Sequence, residues 1–282
     1  MREEGISPDA ITLVCCLKVC GNMRDEDKGR RIHCELVIDG FERDVSIGNT
    51  LVDMYAKCGL LVEAYEVFNE LTLKDVVSWN VLILGYVECG LGDEALELFD
   101  EMQSEGVPLD DVTYIAGLKA CGIAGAIHTC QELHAEIARR GFGNDSFIGS
   151  SLIDVYVKFC LLKKAQDVFD KLPFRDTVSY NALIAGYATQ GHGEDALKYF
   201  EIMEREGLTF TNFTYASILK ACSSIGAVDK AHSIHTDISK KGLQDNIVIG
   251  NALLDMYVTI GLLENAQTVF DLMTTRDVIS WT

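Results

Sequence analysis

The sequence repeats itself at a constant interval of 101 residues, with no insertion or deletion between copies. Three kinds of residue mark this interval most clearly. They are Cys20, Cys121 and Cys222; His33, His134 and His235; and the aromatic residues Trp79, Tyr180 and Trp281, each of which follows a serine. Constant spacing of this kind is typical of a stacked repeat array, and it argues against a single closed core.

The 101-residue block divides into units of 35, 31 and 35 residues. The eight predicted units are residues 10–44, 45–75, 76–110, 111–145, 146–176, 177–211, 212–246 and 247–277. Residues 1–9 are interpreted as the tail of a preceding unit, because Gly5–Asp9 reads like Gly106–Asp110. Residues 278–282 resemble the opening of residues 76–110 and start a ninth unit. The chain is therefore expected to begin and end inside repeats of a longer protein.

Each unit is predicted to form two antiparallel helices. In the second helix of residues 76–110, Ala95, Leu98, Phe99 and Met102 occupy positions i, i+3, i+4 and i+7, which is one apolar stripe. One hairpin cannot bury both of its apolar faces alone, so neighbouring hairpins are expected to stack. The predicted fold is all-α, a right-handed α-α superhelical solenoid of helix-turn-helix repeats.

Local signals predict where the first helix of each unit begins and ends. Ser78 and Ser179 are short polar residues and are predicted to be N-caps. A glycine is predicted to end the first helix of four units, where the chain must turn. These glycines are Gly59, Gly90, Gly191 and Gly261.

Composition narrows the function further. The chain has 282 residues and no uncharged apolar stretch long enough to span a membrane, and its first ten residues do not read as a signal or transit peptide. The ten cysteines include no CxxC pair, so buried thiols in a reducing compartment are predicted rather than disulfides or a zinc site. No metal or other cofactor is predicted. The formal net charge of −19 disfavours a generic nucleic-acid binder and favours protein partners.

Residues 76–110, with the sequence VVSWNVLILGYVECGLGDEALELFDEMQSEGVPLD, resemble the 35-residue motif of the pentatricopeptide repeat family. The cycle of units is similar to the plant-type PLS subclass. By this resemblance, residues 10–44, 111–145 and 212–246 are L units, residues 45–75, 146–176 and 247–277 are S units, and residues 76–110 and 177–211 are P units. The resemblance covers essentially the whole chain.

The resemblance implies binding of single-stranded RNA, one base per repeat, read by the fifth and last residues of the P and S units. The implied base-reading pairs are Asn49 with Asp75, Asn80 with Asp110, Ser150 with Asp176, Asn181 with Thr211, and Asn251 with Asp277. The chemistry is reasonable, because an amide offers both a donor and an acceptor to a pyrimidine edge. An aspartate beside the amide can orient it, and a serine leaves room for a purine. These pairs are expected to line one continuous concave groove.

Other positions follow from the same resemblance. The second residue of each unit would sandwich the bases, and apolar residues occupy it in eight of nine units. These second residues are Ile11, Ser46, Val77, Val112, Phe147, Val178, Phe213, Val248 and Ile279. Lys57 and Lys158, at position thirteen, would face phosphate. The fifth residues of the L units are Val14, Ile115 and Ala216, which cannot read a base edge by hydrogen bonding.

The family pairings imply the target x-U-U-x-G-Y-x-U from 5′ to 3′, where x marks an L unit. They also imply a mitochondrial or chloroplast RNA-editing or processing factor whose L units contact organellar editing-factor proteins.

Two alternative functions remain open from the sequence. A tetratricopeptide-like protein scaffold agrees with the acidic charge, although its usual period is 34. An enzyme would need a deaminase-like domain beyond this chain. The HxE triplets at His33 and His134 are explained by the repeat, because no PCxxC follows them.

Overall fold

A computed structural model describes residues 9–38, 40 and 44–281. These residues form α-helices and no strand, which confirms the all-α prediction. The chain divides into two compact units, Met1–Phe142 and Gly143–Thr282. The predicted repeat tail at residues 1–9 lies outside the described residues, apart from Asp9, and the predicted ninth repeat is described only as far as Trp281.

In the first compact unit the described helices follow one another as four pairs. They are α1 (Ala10–Met23), α2 (Glu26–Ile38), α3 (Val45–Lys57), α4 (Leu61–Glu70), α5 (Val76–Glu88), α6 (Gly92–Ser104), α7 (Asp111–Ala124) and α8 (Ile127–Arg139). The first helices of successive pairs pack on each other, α1 on α3, α3 on α5 and α5 on α7. The first helices therefore form one layer of this compact unit.

The second compact unit has the same organisation. A 3-10 helix, Phe142–Asn144, precedes α9. The helices are α9 (Ser146–Lys158), α10 (Leu162–Lys171), α11 (Thr177–Thr189), α12 (Gly193–Arg205), α13 (Asn212–Ile225), α14 (Val228–Lys240), α15 (Ile247–Thr259), α16 (Leu263–Leu272) and α17 (Val278–Trp281). Again the first helices stack in order, α9 on α11, α11 on α13 and α13 on α15.

The apolar stripes form the core of both compact units. Ala95, Phe99 and Met102 are buried as predicted. An edge-to-face aromatic pair joins the second helix of one pair to the first helix of the next, and it recurs with the sequence period. The ring centroids lie 4.7 Å apart in Phe68–Trp79, 4.9 Å in Phe169–Tyr180 and 4.8 Å in Phe270–Trp281. Such pairs add directional contacts to the area they bury.

An acidic or short polar residue caps the first helices. Asp75 is the N-cap of α5 and accepts the backbone N–H of Ser78 at 2.9 Å, and Asp176 does the same for Ser179 at 2.9 Å. The prediction that the two serines are N-caps is therefore wrong, since each is the third residue of its helix. The capping residues are Asp9, Asp44, Asp75, Asp110, Asp145, Asp176, Thr211 and Asn246. Each is the last residue of a predicted repeat or repeat tail.

The cysteines divide between core and surface. Cys20, Cys121 and Cys222, which recur at the sequence period, are buried, and burial raises the pKa of Cys121 to about 12. Cys130 is buried as well and Cys58 is half-buried, whereas five others are exposed, so the prediction of buried thiols holds for only part of the cysteines. The exposed cysteines are Cys15, Cys16, Cys34, Cys89 and Cys160. The described cysteines form no disulfide.

Left-handed backbone conformation turns the chain after the first helix of each predicted S and P repeat. The predicted glycines adopt it, with φ between 79° and 81° at Gly59, Gly90, Gly191 and Gly261. In residues 146–176 the equivalent position holds Cys160, with φ of 57°. A side chain with a Cβ atom is strained in this region.

Replacing this residue, as Cys160→Gly, should raise the free energy of unfolding by about 1 kcal/mol, because glycine removes the clash of the Cβ atom. Cys89→Gly is the matched control. Cys89 is also exposed and adjoins a turn, but its φ is −81°, so glycine there should destabilise by about 0.5–1 kcal/mol. Urea unfolding followed by circular dichroism measures both changes, and a shift in the same direction for the two variants would contradict the strain at Cys160.

Candidate nucleic-acid interface

The fifth and last residues of the predicted repeats meet at hydrogen-bonding distance in three cases. The Asn80 Nδ2 group donates to Asp110 Oδ1 at 3.0 Å. Asn181 Nδ2 donates to Thr211 Oγ1 at 3.2 Å, and Asn251 Nδ2 donates to Asp277 Oδ1 at 3.0 Å. The last residue can do this because it starts the next first helix, which packs on the helix that carries the fifth residue.

The two remaining pairs differ in detail. A side-chain hydrogen bond from Asn49 contributes to the lowered pKa of Asp75, so Asn49 lies beside that carboxylate. Ser150 is shorter, and its hydroxyl has no hydrogen-bond partner, so it is not bonded to Asp176. The structure thus joins three of the five predicted pairs by a hydrogen bond of 3.0–3.2 Å, places Asn49 beside Asp75, and leaves the Ser150 hydroxyl without a hydrogen-bond partner.

The carboxylates at this junction are held ionised. Burial raises the pKa of Asp110, but hydrogen bonds from the Thr113 hydroxyl, the Thr113 backbone N–H and the Asn80 amide together lower it below its ordinary value of 3.8. Burial also raises the pKa of Asp75, and hydrogen bonds from Ser78 and Asn49 again produce a net lowering. Each aspartate is therefore a charged acceptor at neutral pH, and it can orient the neighbouring amide with its NH₂ group inward.

Four of the five fifth residues are buried, and the remaining one, Asn251, is half-buried. Their exposed fractions are 8% for Asn49, 5% for Asn80, 6% for Ser150 and 8% for Asn181. Three of their polar atoms, Asn49 Oδ1, Asn80 Oδ1 and Ser150 Oγ, are buried without a hydrogen-bond partner. An unpaired buried acceptor costs about 1–3 kcal/mol. A ligand that supplied a donor there would recover that cost.

The amide oxygens of the other two asparagines already have a donor. The Thr214 hydroxyl lies 2.6 Å from Asn181 Oδ1, and the Ser280 hydroxyl lies 2.6 Å from Asn251 Oδ1. The sequence interpretation did not include these hydroxyls in the site. Their signal was present, since a serine or threonine recurs three residues after the last residue of each reading repeat. These residues are Ser78, Thr113, Ser179, Thr214 and Ser280.

The apolar second residues are all exposed. Their exposed fractions range from 39% at Val112 to 74% at Ile11. They are Ile11, Val77 and Val112 in the first compact unit, and Phe147, Val178, Phe213, Val248 and Ile279 in the second. Ser46 is exposed as well. In the predicted P and S repeats each lies one helical turn before a fifth residue, so exposed side chains recur at one register of the first helices.

The predicted phosphate-facing lysines are engaged by acids on their own helices. Lys57 Nζ lies 2.7 Å from Asp53 Oδ2, and Lys158 Nζ lies 2.9 Å from Asp154 Oδ2. These pairs compete with any phosphate for the lysine charge. The fifth residues of the predicted L repeats, Val14, Ile115 and Ala216, are half-buried.

His33, of the first HxE triplet, and His235, which occupies the equivalent repeat position, lie at contacts between helix pairs. The Nδ1 atom of His33 lies 2.8 Å from the Tyr55 hydroxyl, and that of His235 lies 2.7 Å from the Tyr257 hydroxyl. Within residues 9–38, 40 and 44–281, no group of three or more His, Cys, Asp or Glu side chains is placed to hold a metal ion. In the same ranges, no helix combines the length and apolar character needed to cross a membrane.

Family models match most of the repeats described above. The PPR repeat family matches residues 74–122 and 175–224, and the PPR repeat matches residues 49–76, 150–175, 213–243 and 251–278. Together these matches cover more than half of the chain. The chain therefore belongs to the pentatricopeptide repeat family.

Named relatives and solved structures agree with this assignment. A mitochondrial pentatricopeptide repeat-containing protein of Arabidopsis thaliana is 37% identical over 265 residues, which cover 94% of this chain and 42% of that protein. A chloroplastic one from the same plant is 34% identical over 281 residues, which cover 100% of this chain and 46% of that protein. The chain thus spans less than half the length of these relatives.

The crystal structure of the pentatricopeptide repeat protein PPR10 in complex with an 18-nt psaJ RNA element matches with a TM-score of 0.77 at 22% identity. The match covers 95% of this chain and 40% of that chain. The structure of PPR10 from maize matches with a TM-score of 0.70, also at 22% identity. At this identity the likeness supports the fold, and it confirms the helical-repeat architecture.

Removing the Asp110 charge, as Asp110→Asn, should destabilise the protein at pH 7 by about 0.5–1 kcal/mol, since a carboxylate at a helix N-terminus is favoured over a neutral cap. The pKa of Asp110 is lowered in the folded state, so its contribution is present above the unfolded value of 3.8 and is lost as the pH falls through the folded value. The stability difference should therefore shrink below about pH 4.

Denaturant unfolding between pH 7 and pH 2.5 measures this effect. Asp111→Asn removes the same charge one residue further along, where the carboxylate bonds the backbone N–H of Val112. An equal pH dependence of the two variants would show that general charge, and not the hydrogen-bonded cap, controls the change.

Proposed function

We propose that this chain is a single-stranded RNA recognition tract that reads one base per P or S repeat. The observation that carries the proposal is the repeated arrangement of an exposed apolar second residue one helical turn from a hydrogen-bonded pair of fifth and last residues. Val178 with Asn181 and Thr211 is one example. Two features of this arrangement suit a base: a flat apolar contact for its face and an amide for its edge.

The proposed reading step uses chemistry already present at the junction. The base would stack between second residues of consecutive repeats, and its edge would meet the fifth residue. At Asn80 the Nδ2 group is turned towards Asp110, so the unpaired Oδ1 atom is the acceptor left for the base. Because Asn80 is largely buried, the flanking side chains must part for the base to reach it. At Ser150 the short side chain leaves room for a purine.

The class of each repeat and the RNA target are also proposed. The units 10–44, 111–145 and 212–246 are L repeats, 45–75, 146–176 and 247–277 are S repeats, and 76–110 and 177–211 are P repeats, with residues 278–282 opening a ninth. The corresponding target is x-U-U-x-G-Y-x-U. The repeat cycle supports a role as an organellar RNA-editing or processing factor, with L repeats available to partner proteins. The relatives named above are mitochondrial or chloroplastic, which supports a location in one of these organelles.

The acidic charge of −19 favours a second candidate, a scaffold for protein partners. Phosphate attraction is weak in such a chain, so affinity must come from stacking and edge contacts, worth about 1–3 kcal/mol per stacked base. Five reading repeats then support binding in the micromolar range or weaker at physiological salt. A scaffold would show no preference among oligonucleotides, and this separates the two candidates.

Replacing the one fifth-position serine, as Ser150→Asn, should shift preference at its base from G towards U. The longer amide fills the space for a purine, and Asp176 remains to orient it. Fluorescence anisotropy with oligonucleotides that differ only at this base, at one fixed salt concentration, measures the ratio of affinities for G and U. Ser151→Asn changes the adjacent half-buried serine in the same way and should leave the ratio unchanged. A folded Ser150→Asn protein that still prefers G would contradict the assigned register.

Freeing the lysines should strengthen binding. In the double variant Asp53→Asn with Asp154→Asn, Lys57 and Lys158 lose their ion-pair partners and can contact phosphate. The expected gain in affinity is roughly two- to fivefold, with a steeper dependence of log K on log salt. Glu66→Gln with Asp167→Asn is the control, because it removes the same number of charges from exposed positions on the second helices. If the control gains as much affinity, the lysines have no specific part in binding.

A further inference from the structure

The third residue of each repeat that follows a reading repeat carries a hydroxyl beside the reading pair. Thr113 and Thr214 are fully buried there. They are equivalent residues 101 positions apart. Each hydroxyl accepts the backbone N–H of the N-cap residue of its own helix. Asp110 N donates to Thr113 Oγ1 at 3.3 Å, and Thr211 N donates to Thr214 Oγ1 at 2.9 Å. A hydroxyl has a single proton to donate. The acceptor of that proton differs between the first site, at Thr113, and the second site, at Thr214.

At the first site the proton goes to the last residue. Thr113 Oγ1 donates to Asp110 Oδ1 at 2.7 Å, and Asn80 Oδ1 has no partner. The same holds one repeat earlier, where Ser78 Oγ donates to Asp75 Oδ1 at 2.9 Å and Asn49 Oδ1 has no partner. An ionised carboxylate is a stronger acceptor than a neutral amide, which favours this arrangement at Asp75 and Asp110.

At the second site the proton goes to the reading residue itself. The last residue is Thr211, whose neutral hydroxyl accepts from Asn181 Nδ2 at 3.2 Å and from the Thr214 backbone N–H at 3.2 Å. Thr214 Oγ1 then donates to Asn181 Oδ1 at 2.6 Å. Both ends of the Asn181 amide are therefore engaged by protein, whereas the oxygen of Asn80 is not.

We propose that this third-position hydroxyl is a further specificity determinant, and that Thr214 makes Asn181 less selective for uracil than Asn80 by occupying its amide oxygen. The inference rests on the proposed RNA-reading function. It also gives the predicted L repeat of residues 212–246 a part in reading, through the first turn of α13.

The base chemistry gives the direction of the effect. Uracil presents N3–H, a donor, where cytosine presents N3, an acceptor. Asn80 Oδ1 is buried and has no donor in the protein. The N3–H of uracil would supply that donor and so remove the cost of an unpaired acceptor. Asn181 Oδ1 already has a donor, so uracil gains less, and the free hydrogen of Nδ2 can donate to cytosine as well as to uracil. Ser280 shows that a carboxylate at the last position does not exclude a bond to the amide, since its Oγ lies 2.6 Å from Asn251 Oδ1 and 3.0 Å from Asp277 Oδ1.

The test compares Thr214→Val with Thr113→Val. Both substitutions keep the side-chain shape, and both remove a buried hydroxyl and its cap bond, so their structural costs are matched. Only the first removes a donor from an amide oxygen. Fluorescence anisotropy measures the ratio of affinities for oligonucleotides with U or C at the base that faces Asn181, and separately at the base that faces Asn80.

Thr214→Val should raise the U-to-C ratio at the Asn181 base roughly three- to tenfold, the worth of one net hydrogen bond. Thr113→Val should leave the ratio at the Asn80 base unchanged. Thr214→Ser, which retains the hydroxyl, should keep the wild-type ratio. Should the valine variant fail to fold, Thr214→Ala and Thr113→Ala form a second matched pair with the same expected results. An unchanged ratio in the folded Thr214 variant, or equal shifts in the pair, would overturn the proposal.

A measurement on the free protein separates this proposal from the proposed function. With ¹³C-labelled asparagine, loss of the Thr214 donor should move the Asn181 Cγ resonance upfield, while Asn80 Cγ stays in place in the Thr113 variant. An unmoved Asn181 resonance would refute the hydrogen bond and the proposal with it, whatever the protein binds. If the resonance moves but the wild-type protein binds no RNA, the proposed function fails and the specificity role falls with it. RNA binding with an unchanged ratio refutes the specificity role alone.

Discussion

The junction between successive helix pairs depends on one hydrogen-bonded side chain, the last residue of each repeat. Asp110 accepts the backbone N–H of Thr113 at 2.8 Å and so starts α7, and it accepts the Asn80 amide at 3.0 Å. A helix cap and the orientation of the Asn80 side chain therefore share one carboxylate. Because the first helices stack directly, this carboxylate also links consecutive repeats. The stability of the array and the geometry of the site cannot be varied independently at this position.

Electrostatics set the limits on what this surface can bind. With a net charge of −19 and its predicted phosphate lysines paired to Asp53 and Asp154, the chain offers little general attraction to a polyanion. The proposed recognition of RNA would then rest on short-range contacts with the exposed apolar second residues and the polar atoms behind them. Such contacts discriminate between bases better than contacts with phosphate do, because every nucleotide carries the same phosphate charge.

Local patterns predicted most of the fold. The helical stripe at Ala95, Phe99 and Met102 and the turn at Gly90 follow from spacing and backbone preference alone, and both are confirmed. The N-cap was misassigned to Ser78 because aspartate and serine both favour caps, and the periodicity does not say which of two such residues, three apart, starts the helix. The burial of Asn80 was also missed, since exposure depends on how closely neighbouring helices pack.

The sequence by itself determined the repeat period, the helix pairs and the register of the fifth, last and second residues, because these depend on local spacing along the chain. Only the tertiary structure decided which acceptor each buried hydroxyl uses. Thr113 and Thr214 are the same residue at equivalent positions, yet one bonds a carboxylate and the other an amide oxygen. That choice depends on which side chains of two stacked helices meet within 3 Å, a distance that no one-dimensional pattern records.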